Sequence, residues 1–112
     1  MSVELKGYED IELSSIEVGR DLLLLITGGE RHIGAASTAY TYGEEVKAAT
    51  TAVPHHKEHT LSEAIALKAA ARLGKTVTVV MGIHYDNLSK EGIAAVVEAV
   101  NRKVDYFLFE QK

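Results

Sequence analysis

The chain has no cysteine, no tryptophan and a single proline, and its net charge of −4 shows no excess of positive charge. Without cysteine there are no disulfides, thiolate metal sites, iron–sulfur ligation or thiol nucleophile. Without tryptophan, a pocket for an aromatic ring must be walled by Tyr, Phe, His or aliphatic side chains. The longest aliphatic run, Leu22 to Ile26, is far too short to span a bilayer. No basic segment precedes a long apolar one at the N-terminus, so no membrane association is expected and the cytoplasm is the expected compartment. The acidic balance argues against nonspecific nucleic-acid binding and against a polybasic membrane patch.

What is present fits one soluble domain, residues 1–112, with one core: 46% apolar residues and 25% charged. Histidine is plentiful for this length, at five: His32, His55, His56, His59 and His84.

Periodicity gives the elements. Val3 and Leu5, then Ile11, Leu13, Ile16 and Val18, read as a long edge strand, with a bulge near Ser14-Ser15 where the period of two slips. Leu22 to Thr27 and Val77 to Met81 are near-continuous apolar runs, the mark of strands covered on both faces. Gly28-Gly29-Glu30 reads as a hairpin turn leading into a strand from about His32 to Tyr42. That strand is built of small residues (Gly34, Ala35, Ala36, Ser37, Thr38, Ala39) and leaves space for a helix, a partner chain or a ligand. Glu45 to Val53 forms a fourth strand, stopped by Pro54. Thr60 and Glu63 have the spacing of a capping box opening a helix over Leu61 to Leu73, with Gly74 as its C-cap. Ser89 caps a second helix, on which Val96, Val97, Val100 and Val104 recur at helical spacing. Tyr106 to Phe109 must dock on the core or on a neighbouring subunit. The order is ββββαβα. It implies an α+β fold with a mainly antiparallel sheet, a four-stranded meander joined by the last strand, and both helices on one face.

Three constellations could carry chemistry. His55, His56 and His59, with His84 at a distance, offer imidazoles to a metal, but they precede the helix and match no established metal motif. His84 and Asp86, two apart beyond the strand tip, suit a base with an orienting carboxylate. The helix starts at Thr60 and Ser89 can attract a terminal phosphate, with Arg31 and Lys57 as cationic help. Neither a dinucleotide fingerprint nor a phosphate-binding loop is present, because Gly28-Gly29 is not followed by a helix.

Asp21 to Thr27 with Gly28-Gly29, then His32-Ile33-Gly34-Ala35, and later Gly82-Ile83-His84-Tyr85-Asp86-Asn87, together resemble the LpdD-like family, over about Ile11 to Val104. Its members are described as prenylated-flavin chaperones or as the accessory D subunit of hydroxyarylic acid decarboxylases. The resemblance implies a noncatalytic, cofactor-binding partner of a UbiD-type decarboxylase. It would hold prenylated FMN, or FMN, supplied by a UbiX-type flavin prenyltransferase. Carried over residue by residue, the matching positions are Gly29, His32, Gly34, His84, Asp86 and Asn87. Two other readings stand beside it: a small hydrolase or isomerase using His84 and Asp86, and a structural subunit of a homo-oligomer.

Overall fold

The structure is a computed structural model that describes residues 10–54 and 58–111. The expected start of the first strand at Val3 and Leu5, and the run His55, His56 and Lys57, lie outside the described residues. Seven elements follow in the expected order: β1 (Glu12–Val18), β2 (Asp21–Gly29), β3 (Ala35–Tyr42), β4 (Glu45–Ala52), α1 (His59–Leu73), β5 (Val77–His84) and α2 (Lys90–Glu110).

The strands form one sheet in the order β1-β2-β5-β3-β4. The expected meander is therefore broken in the middle. β1–β2 and β3–β4 are antiparallel neighbours, but β5 lies between β2 and β3, parallel to the first and antiparallel to the second. Gly28-Gly29 does not make a hairpin turn: both residues extend β2 and pair with Ile83 and His84 of β5. The physical reason is the connection. Residues 30–34 have to step across β5 to reach β3, a span of two strand spacings, roughly 10 Å, which a two-residue turn cannot bridge. The expected bulge in β1 is absent as well. Its register on β2 is unbroken, and the slip in apolar period arises because Leu13 points to one face of the sheet while Ile16 and Val18 point to the other.

One face carries the core. Leu22, Leu24 and Ile26 of β2, Val77, Val79 and Met81 of β5, and Ala39 of β3 pack there against Ile65, Ala66, Ala69 and Ala70 of α1. Val96, Val100, Val104 and Leu108 of α2 complete the cluster. The small residues of β3 are explained on this side. Ala35, Ser37 and Ala39 are buried, and Ser37 Oγ bonds at 2.7 Å to both Ser62 Oγ of α1 and Thr50 Oγ1 of β4. Helix packing, not a ligand, fills the space above that half of the strand.

The capping box does not form. α1 begins at His59, so Thr60 is already inside it, and Glu58 is the N-cap residue without a capping side chain. Glu63 instead accepts from Thr50 Oγ1 at 2.7 Å, so the fourth strand claims the carboxylate that would close the box. Gly74 caps the C-terminus as expected, in a left-handed conformation with its N–H on Ala70 O. Ser89 caps α2 through a 3.0 Å bond from the Gly92 N–H to its Oγ. The aromatic tail is the last turn of this helix. Leu108 is buried and Phe107 packs on the core, whereas Tyr106 and Phe109 face solvent.

The second face differs from expectation. By register, Leu23 and Leu25, Thr78 and Val80, and Ala36 and Thr38 line it side by side on the three middle strands. All six are only half-buried. Ile16, Val18, Tyr40 and Tyr42 continue this face and are exposed. The described residues thus leave the second side of the two apolar strands open along Leu23, Leu25, Thr78 and Val80, and cover it only at the Thr27 and Gly82 end, where loop 30–34 passes. None of the described helices is long and apolar enough to cross a membrane.

Candidate functional site

The crossing loop 30–34 brings two backbone segments into close contact. It passes over β5 at Gly82, where an added Cβ would sit 1.6 Å from the His32 carbonyl oxygen. Gly82 is therefore a point of close chain approach and not a turn residue. It lies inside β5, outside the positive-φ glycines, and its hydrogen side chain leaves room for a second backbone. The Gly34 N–H on Met81 O, at 2.9 Å, pins the far end of the crossing.

The crossing delivers His32 to the end of β5. Its Nδ1 donates to Glu30 O at 3.0 Å, which turns Nε2 toward Glu58, 3.1 Å from Oε2. Glu58 Oε2 also accepts the Ile83 N–H at 3.1 Å. Both side chains are largely shielded, 21% and 11% exposed. Gly34 belongs to the same arrangement, because a Cβ there would strike the Glu58 carboxylate at 2.5 Å. Glu58 thus ties the start of α1, the end of β5 and the crossing loop together.

His84 stands beside this cluster, its ring edge-on to that of His32 with centroids 6.4 Å apart. Its Nε2 lies 3.0 Å from Asp86 Oδ1, and the pair is open to solvent, 45% and 85% exposed. Because a carboxylate only accepts, that bond places a proton on Nε2, and in the neutral ring Nδ1 keeps a lone pair for an incoming N–H. Asn87 follows in the turn with φ 60°, a conformation that asparagine tolerates better than most residues. Gly29, also left-handed, would carry a Cβ 2.1 Å from the His84 carbonyl oxygen, so its open side is filled by the chain itself.

A clasp holds the tip from below. The Asp10 carboxylate accepts the Tyr85 hydroxyl at 2.5 Å and the Gly29 N–H at 2.9 Å. The Tyr85 bond, helped by Gly29 and Arg31 and opposed by partial burial, holds the Asp10 carboxyl below its ordinary value. Gly28 sits between Ile11 and the Tyr85 hydroxyl, too close to either for a side chain.

The structure thus brings His32, His84 and Asp86 together, with Asn87 in the adjoining turn, and uses Gly29 and Gly34 as points of close chain approach. Glu58, Asp10, Tyr85 and Gly82 complete the arrangement. Glu58 stands among other polar residues just before α1, and Asp10 is 75 residues from Tyr85, so neither gives a local signal. Arg31 is drawn away from the anion role by Glu12, at 3.0 Å. His59 is exposed on the first turn of α1, and among the described residues no group of three or more His, Asp or Glu is placed to hold a metal ion.

Fold and rim define a small α+β protein with one covered and one open sheet face, and a histidine-bearing edge where the two meet. The chain belongs to the LpdD-like prenylated flavin chaperone family: residues 6–111 match the domain described as "Prenylated flavin chaperone LpdD-like domain". Protein LpdD of Lactiplantibacillus plantarum is 34% identical to it over 97 residues, covering 84% of this chain and 71% of that protein.

Proposed function

We propose that this chain is a noncatalytic accessory protein that binds prenylated FMN, or FMN, for a UbiD-type hydroxyarylic acid decarboxylase. The cofactor would come from a UbiX-type prenyltransferase, in the cytoplasm. The observation that carries this reading is the rim. A hydrogen-bonded His84–Asp86 pair, whose Nδ1 can accept when the ring is neutral, stands beyond the crossing loop at the end of a flat apolar face formed by Leu25, Val80 and Ala36. A flavin ring is flat and apolar with a polar imide edge, and those two surfaces match its two parts. The ring belongs on the open face of β3 and β5, since the other face of β3 is occupied by α1. His84 Nδ1 would accept from the imide edge, His32 would hold the ring of His84 in place, and Asn87 would shape the turn. The start of α2 at Ser89, shortly after His84 in the chain, offers an anion-attracting feature for a phosphate.

Titration of the purified protein with FMN and with reduced prenylated FMN tests the reading. Binding at tens of micromolar or tighter, roughly −6 kcal/mol or better, is expected; no binding in that range defeats the carrier role. His84→Ala and Asp86→Ala are expected to weaken binding without changing the melting temperature. The same His84–Asp86 geometry favours a second reading, acid–base turnover of a small molecule. A pH–rate profile whose histidine limb vanishes in His84→Ala would support it.

A further inference from the structure

The uncovered sheet face has the composition of an interior and the position of a surface. Its centre (Leu23, Leu25, Thr78, Val80, Ala36 and Thr38) carries no charge, and the Thr38 and Thr78 hydroxyls share one 2.8 Å hydrogen bond. Four of the chain's exposed large hydrophobics, Ile16, Val18, Tyr40 and Tyr42, flank this centre. Five strands by about eight residues give a face of roughly 24 Å by 25 Å, or about 600 Å² before side-chain relief is counted. That is at the top of what isolated monomers expose, and close to the ~800 Å² per partner of a standard stable interface. A flavin ring spans only about two strand spacings and leaves most of the face bare.

We infer that this face packs against the same face of a second copy, forming a two-fold sandwich of two sheets. The margins of this face carry Glu12, Asp21, Glu45 and Lys47, and the one basic group among them points to a second copy. By register, Lys47 on β4 and Asp21 on β2 stand at the same level on opposite sides of the uncharged centre. With the two-fold axis along the strands, the β4 side of each copy covers the β1–β2 side of the other, and each Lys47 comes over toward the other's Asp21. Lys47 is held only by a loose 3.7 Å contact with Glu45 and by the Tyr42 ring, 5.4 Å from its ammonium, and Asp21, whose Oδ1 accepts the Thr76 N–H, keeps its second carboxylate oxygen for the pair. The same patch thus serves both subunits, as an isologous interface requires, and aligned sheets pack about 10 Å apart with interdigitating side chains. The inference rests on the cofactor reading in one respect only: a ring lying at the His84 end would be enclosed between the two copies, where one flat sheet cannot enclose it.

Sedimentation equilibrium of the full chain, with and without FMN, tests both parts separately. The wild type is expected at twice the 12.2 kDa chain mass at micromolar concentration. Leu25→Lys and Thr38→Lys are expected to raise the dissociation constant on the order of a hundredfold or more, because each buries an unpaired charge at the centre. Both should keep the wild-type far-UV spectrum. A monomeric wild type overturns the inference, as does a wild-type dimer left intact by both folded variants. Should both central variants fail to fold, Lys47→Glu at the exposed margin decides: an unchanged dissociation constant overturns the proposal. A dimer that binds no flavin defeats the cofactor reading and leaves the interface standing; a monomer that binds flavin does the reverse.

Discussion

Replacing Gly82 by alanine asks whether the crossing loop really lies on β5. The added Cβ would stand 1.6 Å from the His32 carbonyl oxygen and 2.4 Å from its carbon, roughly 2 Å inside normal contact. Both colliding groups are backbone, so no rotamer change relieves the clash. The loop must lift, which breaks the Gly34 N–H bond to Met81 O and draws His32 off Glu58. Overpacking of this kind costs about 1–3 kcal/mol and the lost backbone bond about 1 kcal/mol more. The expected loss is about 3 kcal/mol, or a fall in melting temperature on the order of 10 °C for a domain of this size. Thermal and urea unfolding followed by far-UV circular dichroism measures it. Gly43→Ala is the matched control: Gly43 has φ +66° but open space around it, so only local strain, about 1 kcal/mol, is expected there. If Gly82→Ala loses less than Gly43→Ala, the loop does not cross where described, and the His32–Glu58 contact fails with it.

Three further outcomes are expected. Ser62→Ala removes the buried hydroxyl that joins α1 to Ser37, and a loss of about 1–2 kcal/mol in urea unfolding follows; no loss would show that the hydroxyl chain is dispensable. Ser89→Ala should cost about 1 kcal/mol through the lost cap on Gly92, measurable by the same unfolding curves. Tyr85→Phe should lower stability in a pH-dependent way. The Asp10 carboxyl titrates below its ordinary 3.8 in the folded protein, chiefly through the Tyr85 bond. Its contribution is therefore complete above that value and lost as the pH falls through the lower folded value. The melting-temperature gap between wild type and Tyr85→Phe is expected to be full near neutral pH and to close below pH 3.8; a gap that persists unchanged in acid assigns it to packing instead.

Element types and order were legible because each rests on local signals: period two in the strands, Gly74 and Ser89 at helix ends, small residues in β3. Strand order was not. Nothing in Gly28-Gly29-Glu30 distinguishes a two-residue hairpin from the start of a step across another strand, since both need backbone freedom at Gly29. The decisive partner, Gly82, lies more than fifty residues away. The capping box failed for a similar reason, because Glu63 answers to Thr50 on a different element. At the rim, His32, His84 and Asp86 could be singled out as side chains with chemistry. Glu58 and Asp10 could not, because what makes them matter is contact across the sequence. The two-sided burial read from Leu22 to Thr27 and Val77 to Met81 is the instructive mismatch. The described residues supply one cover, and the second face retains the composition of a covered one.

The place of β5 also bears on how the chain is made. Among the described strands it is the last to leave the ribosome and the only one that touches both hairpins. Until Val77 to His84 has been synthesised, β1–β2 and β3–β4 are separate two-stranded ribbons, each marginal alone and each with an apolar or small-residue strand edge unpaired. The five-stranded sheet therefore cannot close until β5 is made, around a keystone flanked in sequence by both helices. A nascent or truncated chain ending before Thr76 is the form of this protein most exposed to misassociation.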